Sequence, residues 1–91
     1  PKAQLVCIGG ELREVSRALV GGFALGWMRQ LRFDFAAVGA SGLHRDDGAS
    51  TTELGEAAVK REAVSRAETT LLLADASKWG QTAAVAFAAW D

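Results

Sequence analysis

Apolar residues in the first third of the chain fall into short segments that glycines end. Residues 4–8 form an apolar run closed by a glycine pair, which predicts a buried strand ending in a turn. Residues 12–20 alternate less regularly and predict a second extended segment. Across residues 23–32 the apolar side chains recur every four positions, which predicts an amphipathic helix with Trp27 and Met28 packed in the core.

The middle of the chain changes from a strand pattern to a helix pattern. Residues 33–38 predict a strand, and residues 39–42 follow it as a flexible turn of glycine, alanine and serine, where backbone can approach a ligand closely. Ser50 and Glu53 have the spacing of a capping box, which predicts that a helix begins there and covers residues 52–66.

The last third contains the clearest strand. Residues 69–74 form a nearly continuous apolar run, as expected for a strand of a parallel sheet that helices cover on both faces. Residues 82–90 contain alanines, which favour a helix, and β-branched and aromatic residues, which favour a strand; we expect a strand. The order of elements predicts an α/β domain with a mainly parallel sheet, flanked by helices and joined by right-handed crossovers.

Length and charge restrict the classes of protein to which the chain can belong. Its 91 residues suffice for one domain, and an apolar share of 49% is typical of a globular chain. Ten basic and eleven acidic side chains nearly cancel, so no basic surface for gripping DNA is expected. No apolar run is long enough to span a membrane, and the single cysteine, Cys7, lies where we expect a core residue. These features favour a cytoplasmic protein, and a start at Pro1 without methionine indicates a piece of a longer chain.

The segment of residues 72–80 offers the strongest candidate for a binding site. An apolar strand there ends in an acid, a hydroxyl, an ammonium and a glycine. Ligands of open α/β sheets bind outside the carboxyl ends of the strands. Ser77 and Lys78 follow the third predicted strand, and Ser41 follows the second. With Lys60 on the intervening helix, these groups suit an anionic ligand such as a sugar phosphate.

The remaining reactive residues point to no familiar enzyme class. The sequence contains no nucleophile elbow, no nucleotide-hydrolase phosphate loop and no dinucleotide fingerprint. His44 would bind a metal only together with Asp46 and Asp47, and we expect it to be a solvated loop residue instead. We therefore expect neither a resident metal nor a cofactor.

Six blocks of sequence follow one another in a characteristic order along nearly the whole chain. They are IGGELR (8–13), LVG (19–21), LRFD (31–34), VGASGL (38–43), TT (51–52) with EAAVKR (56–61), and LADASKWG (73–80). Together they resemble the C-terminal effector-binding domain of the DeoR-family transcriptional regulators. Six blocks in the right order are far more specific than any one of them.

The resemblance implies a regulator of sugar metabolism. In such a protein a helix-turn-helix domain binds DNA and a sensor domain binds a phosphorylated sugar or a related metabolite. Residues 1–91 correspond to the later part of that sensor, with the DNA-binding domain and an earlier phosphate loop outside the chain. DNA would be bound only through that separate domain, and open strand edges favour a homo-oligomer.

The resemblance also implies a fold and a set of ligand contacts. Sensor domains of this family are similar in fold to ribose-5-phosphate isomerase and the CoA-transferase-like proteins, of which this chain would be a truncated part. Lys60 stands close to the position of an isomerase glutamate, and an ammonium there removes proton abstraction and leaves binding. Lys78 matches the isomerase lysine that meets the substrate. The predicted ligand contacts are therefore Lys78, Ser77, Ser41, Gly39, Lys60 and Thr52.

The sequence is also compatible with two other functions. An isomerase-like enzyme would interconvert aldose and ketose phosphates, but residues 39–42 lack the acids that the isomerase carries in that loop. In the second alternative the domain would serve self-association only, without binding a ligand. The resemblance favours a sensor over both.

Overall fold

A computed structural model describes residues 3–90, which contain two helices and seven short strands. Within this part of the chain neither helix is long and apolar enough to cross a membrane. In chain order the elements are β1 (Glu11–Arg13), β2 (Ala18–Val20), α1 (Gly22–Met28), β3 (Phe33–Gly39), β4 (Gly42–His44), β5 (Gly48–Thr51), α2 (Leu54–Arg66), β6 (Ala67–Leu73) and β7 (Val85–Ala88), with a 3-10 turn at Ala76–Lys78 between the last two.

A strand–helix–strand unit in the middle of the chain carries the only parallel pairing among the named strands of residues 3–90. β3 and β6 pair in parallel, from Phe33 opposite Ala67 to Gly39 opposite Leu73. Helix α2 connects the two strands and packs against both. The pairing brings the carboxyl ends of β3 and β6 to the same edge, as the sequence predicted for this segment.

The prediction of a mainly parallel sheet is wrong for the domain as described. Residues 12–20 form the antiparallel β1–β2 hairpin instead of one extended segment, and β5 pairs antiparallel with both β4 and β7. The chain reverses directly at residues 45–47 because Gly48 adopts a φ of +79°, which a side chain would disfavour. The result is a small α/β domain with mixed sheets.

Glu53 is the N-cap of helix α2, so the prediction of Ser50 as its N-cap is wrong. The Glu53 carboxylate accepts hydrogen bonds from the N–H groups of Gly55 (2.8 Å) and Glu56 (2.9 Å), which are free at a helix start. Ser50 lies in β5, opposite Gly42 of β4. Ser50 is therefore part of a strand pair, and not of the helix start that the capping-box spacing predicted.

The core lies where α2 packs against the two sheets beside it. Val38 of β3, Ala49 of β5, Ala57 of α2 and Phe87 of β7 form one buried cluster. Phe87 confirms that residues 82–90 contain a strand, because it lies in β7 with its side chain buried. One aromatic ring thus joins the antiparallel sheet to the helix of the parallel unit.

Only one narrow side of helix α1 is buried, and the other side is exposed to solvent. Ala24 and Met28, one turn apart, are buried, so the core assignment of Met28 is confirmed. Trp27 is 58% exposed, and its assignment to the core is wrong. A helix of seven residues that packs mainly against α2 and β2 covers only the side chains that face those elements.

Two apolar segments are more exposed than the sequence predicted. Residues 4–8 form no strand; Leu5 is 95% exposed and Cys7 is also exposed, because no strand of residues 3–90 pairs with them. β6 is covered on one face only, which leaves Leu71 and Leu73 in solvent. The expectation that helices cover both faces of this strand is wrong within the described residues.

Candidate ligand-binding site

The predicted site lies at the edge where β3 and β6 end together. Gly39, the last residue of β3, stands opposite Leu73, the last residue of β6. Ser41 follows Gly39 in the connection to β4, and its N–H donates to the Ser50 carbonyl at 2.8 Å. Ser77 and Lys78 follow β6 in the 3-10 turn. Four of the six predicted contacts therefore lie at this edge: Gly39 ends β3, and the other three are in the loops that follow β3 and β6.

Asp75 organises the turn that carries Ser77 and Lys78. Its carboxylate accepts hydrogen bonds from the Ser77 N–H (3.1 Å) and from the Ser77 hydroxyl, while its carbonyl accepts from the Lys78 N–H at 3.1 Å. The hydrogen bond from the Ser77 hydroxyl is the largest effect and lowers the pKa of Asp75; desolvation opposes it, and the Ser77 N–H and the Lys78 charge add to the lowering. Sequence reasoning did not place Asp75 among the site residues, although an acid two positions before a serine is the pattern of an Asx turn.

Backbone contacts hold the loop after β6 against strand β4, which follows the loop after β3. The Gly80 N–H donates to the Leu43 carbonyl at 2.7 Å, and Leu43 forms an isolated parallel bridge with Trp79. A Cβ on Gly42 would lie 2.5 Å from the Gln81 carbonyl oxygen, so only glycine permits this approach. The loop after β6 is thus fixed to β4.

An indole pair and a buried hydroxyl strengthen the same junction. The ring centroids of Trp79 and Trp90 are 6.1 Å apart, and the Trp90 Nε1–H donates to the His44 carbonyl at 2.8 Å. The Ser50 hydroxyl accepts from the Ala83 N–H at 2.9 Å and donates to the carbonyl of β4 at Gly42, 3.4 Å away. The site is thus tied to the antiparallel sheet as well as to β6.

The other two predicted contacts lie on different parts of the fold. The Lys60 Nζ stands 5.4 Å from the centre of the Phe87 ring, on the side of α2 that packs against β7. Thr52 is exposed in the bend between β5 and α2. Neither residue is in one of the two loops that meet at the strand ends.

A cleft beside the end of α2 and the histidine loop contain none of the six predicted residues. A cleft of about 420 Å³ lies between the end of α2, β6 and residues 88–90, and none of the six predicted residues lines it. Nδ1 of His44 accepts from the Asp46 N–H at 3.2 Å and lies 3.5 Å from the Asp47 carboxylate. Among residues 3–90, no three His, Cys, Asp or Glu side chains are grouped so that they could hold a metal ion.

Comparison with known proteins identifies the family. The family model described as "DeoR C terminal sensor domain" matches residues 1–91, the entire chain. The chain belongs to this family. The resemblance seen in the six sequence blocks is therefore confirmed.

Named regulators are similar to this DeoR-type sensor domain over most of its length. The uncharacterized HTH-type transcriptional regulator FruR of Bacillus subtilis (strain 168) is 37% identical over 81 residues, which are 89% of this chain and 32% of FruR. The HTH-type transcriptional regulator GlpR of Haloferax volcanii is 37% identical over 83 residues, 91% of this chain and 32% of GlpR. The glycerol-3-phosphate regulon repressor of Escherichia coli (strain K12) is 30% identical over 82 residues, 90% of this chain and 32% of the repressor. The chain spans about a third of each of these relatives.

The residues at this edge offer an ammonium, two hydroxyls and the Asp75 carboxylate. Lys78 supplies an ammonium, and Ser41 supplies a hydroxyl beside exposed backbone. The Ser77 hydroxyl already donates to Asp75, so in this arrangement it can offer a ligand its lone pairs and not its proton. Residues 39–42 contain no titratable side chain that could act as a base.

Proposed function

We propose that this DeoR-type sensor domain binds a phosphorylated sugar or a related anionic metabolite at the shared end of β3 and β6. The observation that supports this proposal is the position of Lys78. It lies in the turn after β6, which Asp75 fixes, beyond the point where the parallel strands β3 and β6 end. A helix-turn-helix domain elsewhere in the same protein would bind DNA, and the metabolite would change the population of DNA-competent states. Residues 1–91 would then be the later part of the sensor.

The proposed contacts have separate roles. Lys78 contacts the phosphate through a charge-assisted hydrogen bond, Ser41 donates its hydroxyl, and the backbone at Gly39 allows close approach. Ser77 accepts from a sugar hydroxyl while it continues to donate to the acid beside it. Lys60 and Thr52 are the other two proposed contacts, and Lys60 would have to leave the Phe87 ring to reach a ligand at the strand ends.

We also propose that the domain binds its ligand without converting it. The relatives are transcriptional regulators by name, which fits a protein that senses rather than catalyses. The fold would be similar to ribose-5-phosphate isomerase once further strands join the free edges of β3 and β6. The complete protein would act in the cytoplasm as a homo-oligomer, as is usual when paired domains bind two half-sites.

Thermal unfolding of the full-length protein with a panel of sugar phosphates tests ligand binding. A ligand that binds the folded state raises the unfolding temperature with its concentration, and the corresponding free sugars serve as controls for the phosphate. The effective sugar phosphate should also change the affinity for operator DNA. If no member of the panel shifts the unfolding temperature, the sensor function is wrong.

The variant Lys78→Ala tests the site. Removing one charged hydrogen bond should raise the Kd of the effective sugar phosphate by about 10- to 100-fold. The matched control Arg32→Ala removes a cation just before β3, at the opposite end of the sheet, and should leave the Kd unchanged. An unchanged Kd in Lys78→Ala, with sugar phosphates still binding, would move the site elsewhere and keep the sensor function.

A further inference from the structure

Two exposed indole rings lie beside the proposed phosphate contact. Trp79 follows Lys78 directly in the chain and is 60% exposed, and Trp90 is 46% exposed. Their ring centroids are 6.1 Å apart, so they form one apolar patch instead of two scattered side chains. Tryptophan is highly buried on average, which makes two adjacent exposed indoles unusual. Neither ring takes part in the phosphate contacts proposed above.

Backbone bonds and a neighbouring ring restrict the position of Trp79. Its N–H donates to the Ala76 carbonyl at 3.2 Å, and it forms an isolated bridge with Leu43 of β4. The Trp90 ring beside it is fixed in turn, because its Nε1–H donates to the His44 carbonyl at 2.8 Å. A surface that is ordered before binding loses little conformational entropy when a ligand contacts it.

The groups around Trp79 match one side of a sugar ring. The face of an indole is electron-rich and attracts the C–H groups that a cyclic sugar carries on one side. The sugar hydroxyls would find acceptors in the same turn, since the Asp75 carboxylate and the Ser77 hydroxyl both have lone pairs. Consecutive Cα atoms are about 3.8 Å apart, so one small ligand can contact both Lys78 and the indole that follows it.

On the basis of the sugar-phosphate site proposed above, we propose that Trp79 determines ligand specificity by stacking on the ring of a cyclic sugar phosphate, while Trp90 supports the indole. An open-chain polyol phosphate presents no flat apolar face, and its free rotations are lost on binding. The domain therefore prefers ring-forming sugar phosphates to open-chain phosphates of equal charge.

Paired ligands test this preference in the full-length protein. Glucose 6-phosphate and ribose 5-phosphate form rings, whereas their reduced counterparts, glucitol 6-phosphate and ribitol 5-phosphate, are open chains of the same charge. Calorimetric titration gives each Kd, and the ring preference is the Kd of the open-chain ligand divided by that of its cyclic partner. At least one cyclic ligand should be favoured by about threefold or more, and Trp79→Leu should lower this preference by about 3- to 10-fold.

Two variants and one ligand serve as controls. Trp27→Leu removes an indole of nearly equal exposure, 58%, from α1 and should leave the ring preference unchanged. Trp79→Phe keeps an aromatic face and should retain most of the preference. In Trp79→Leu the Kd of the open-chain ligand should change less than about threefold, because Lys78 still contacts the phosphate. If Trp79→Leu does not fold, hydroxyl-radical footprinting of the unchanged protein replaces it, and the cyclic ligand should protect Trp79 but not Trp27.

The outcomes separate stacking on Trp79 from the sensor function. Equal Kd values within both pairs, with binding that still depends on Lys78, would overturn the stacking and keep the sugar-phosphate site. A ring preference that Trp79→Leu leaves intact would do the same. Protection of Trp79 from oxidation without any ligand would show that another part of the protein covers the indole, and it would also overturn the stacking. Absence of binding by all four ligands and by the wider panel of sugar phosphates would overturn both.

Discussion

Ser50 shows how one hydroxyl can connect three parts of a small domain. It is 3% exposed in β5, accepts from the Ala83 N–H and donates to the Gly42 carbonyl, while its own carbonyl accepts from Ser41. An alanine would remove the hydroxyl that accepts from the Ala83 N–H and donates to the Gly42 carbonyl. Polar groups left unpaired in the interior are costly because desolvation is not repaid by a hydrogen bond.

We expect Ser50→Ala to lower the free energy of unfolding by about 1–3 kcal/mol, the usual cost of an unpaired buried polar group. Chemical denaturation measures the change. Ser65→Ala is the control, since the Ser65 hydroxyl only donates to the Glu62 carbonyl on the exposed side of α2. That control should change stability by no more than about 0.5 kcal/mol. Equal effects of the two variants would contradict the connecting role of Ser50.

Glu53 makes the start of α2 sensitive to pH. Hydrogen bonds from the Gly55 and Glu56 N–H groups lower its pKa below the ordinary value of 4.5; desolvation opposes them, and the Arg13 charge 3.5 Å away adds to the lowering. A lowered folded-state pKa means that the stabilisation is present above pH 4.5 and is lost as the pH falls through the folded-state value.

The variant Glu53→Gln should therefore unfold at a lower urea concentration than the native protein at pH 7. The difference between the two midpoints should shrink as the pH is lowered below 4.5, because the native carboxylate becomes protonated. Glu14→Gln, in the exposed turn of the β1–β2 hairpin, supplies the comparison. If the difference between the two urea midpoints stays constant from pH 7 to well below pH 4.5, ionisation of Glu53 is not its cause.

At the scale of elements, two glycines have opposite roles. Gly42 lets the loop after β6 approach β4, since a Cβ there would meet the Gln81 backbone. Gly26 lies within α1 and has no atom within 4 Å of the position that a Cβ would take. A methyl group is therefore harmful at the first position and harmless at the second.

We expect Gly42→Ala to lower the free energy of unfolding by about 1–3 kcal/mol, because the backbone must move to admit the side chain. Gly26→Ala should raise it by about 0.5–1 kcal/mol, because alanine loses less conformational entropy in a helix. Denaturation of the two variants side by side gives both values. Destabilisation by Gly26→Ala would indicate that this side of α1 is in contact with another part of the protein.

The elements that the sequence predicted correctly are those set by local pattern. β3, α2 and β6 each have a long apolar or helical periodicity, and the pattern is sufficient to locate them. β4 and β5 consist mainly of small or polar residues, so they carry no periodic apolar pattern that would predict them. Likewise, periodicity identified the helix that carries Trp27, but not which of its sides would find a neighbour.

Local pattern also predicted some of the candidate site residues and not others. Lys78 and Ser77 could be located because they end a recognisable strand, and Ser41 because it follows another. Their proximity depends on parallel pairing, which the crossover through α2 makes predictable. The position of Lys60 beside Phe87 was not predictable, because it depends on a strand that reaches α2 from the far end of the chain.

For the whole molecule, the core is small and depends on Phe87. The buried apolar residues are mostly alanines and valines, and Phe87 is the one aromatic ring among them in residues 3–90. It touches the cluster formed by β3, β5 and α2. A domain of this size has a modest surplus of stability, so the loss of one large side chain is a large share of it.

We expect Phe87→Ala to lower the free energy of unfolding by about 3–5 kcal/mol, the cost of a cavity and of lost apolar burial. Phe23→Ala removes an equal ring from the exposed side of α1 and should cost no more than about 0.5 kcal/mol. Urea titration followed by circular dichroism distinguishes them. Similar losses in both variants would show that the core extends beyond the cluster around Phe87.

The Trp79–Trp90 pair gives the domain an optical signal of its own. Two indole rings with centroids 6.1 Å apart and planes tilted by 40° are close enough for their electronic transitions to couple. One ring follows Lys78 directly, and the other belongs to the segment after β7 that is bonded to His44. Any ligand that displaces the turn after β6 changes this coupling, so binding can be followed by circular dichroism without an attached label.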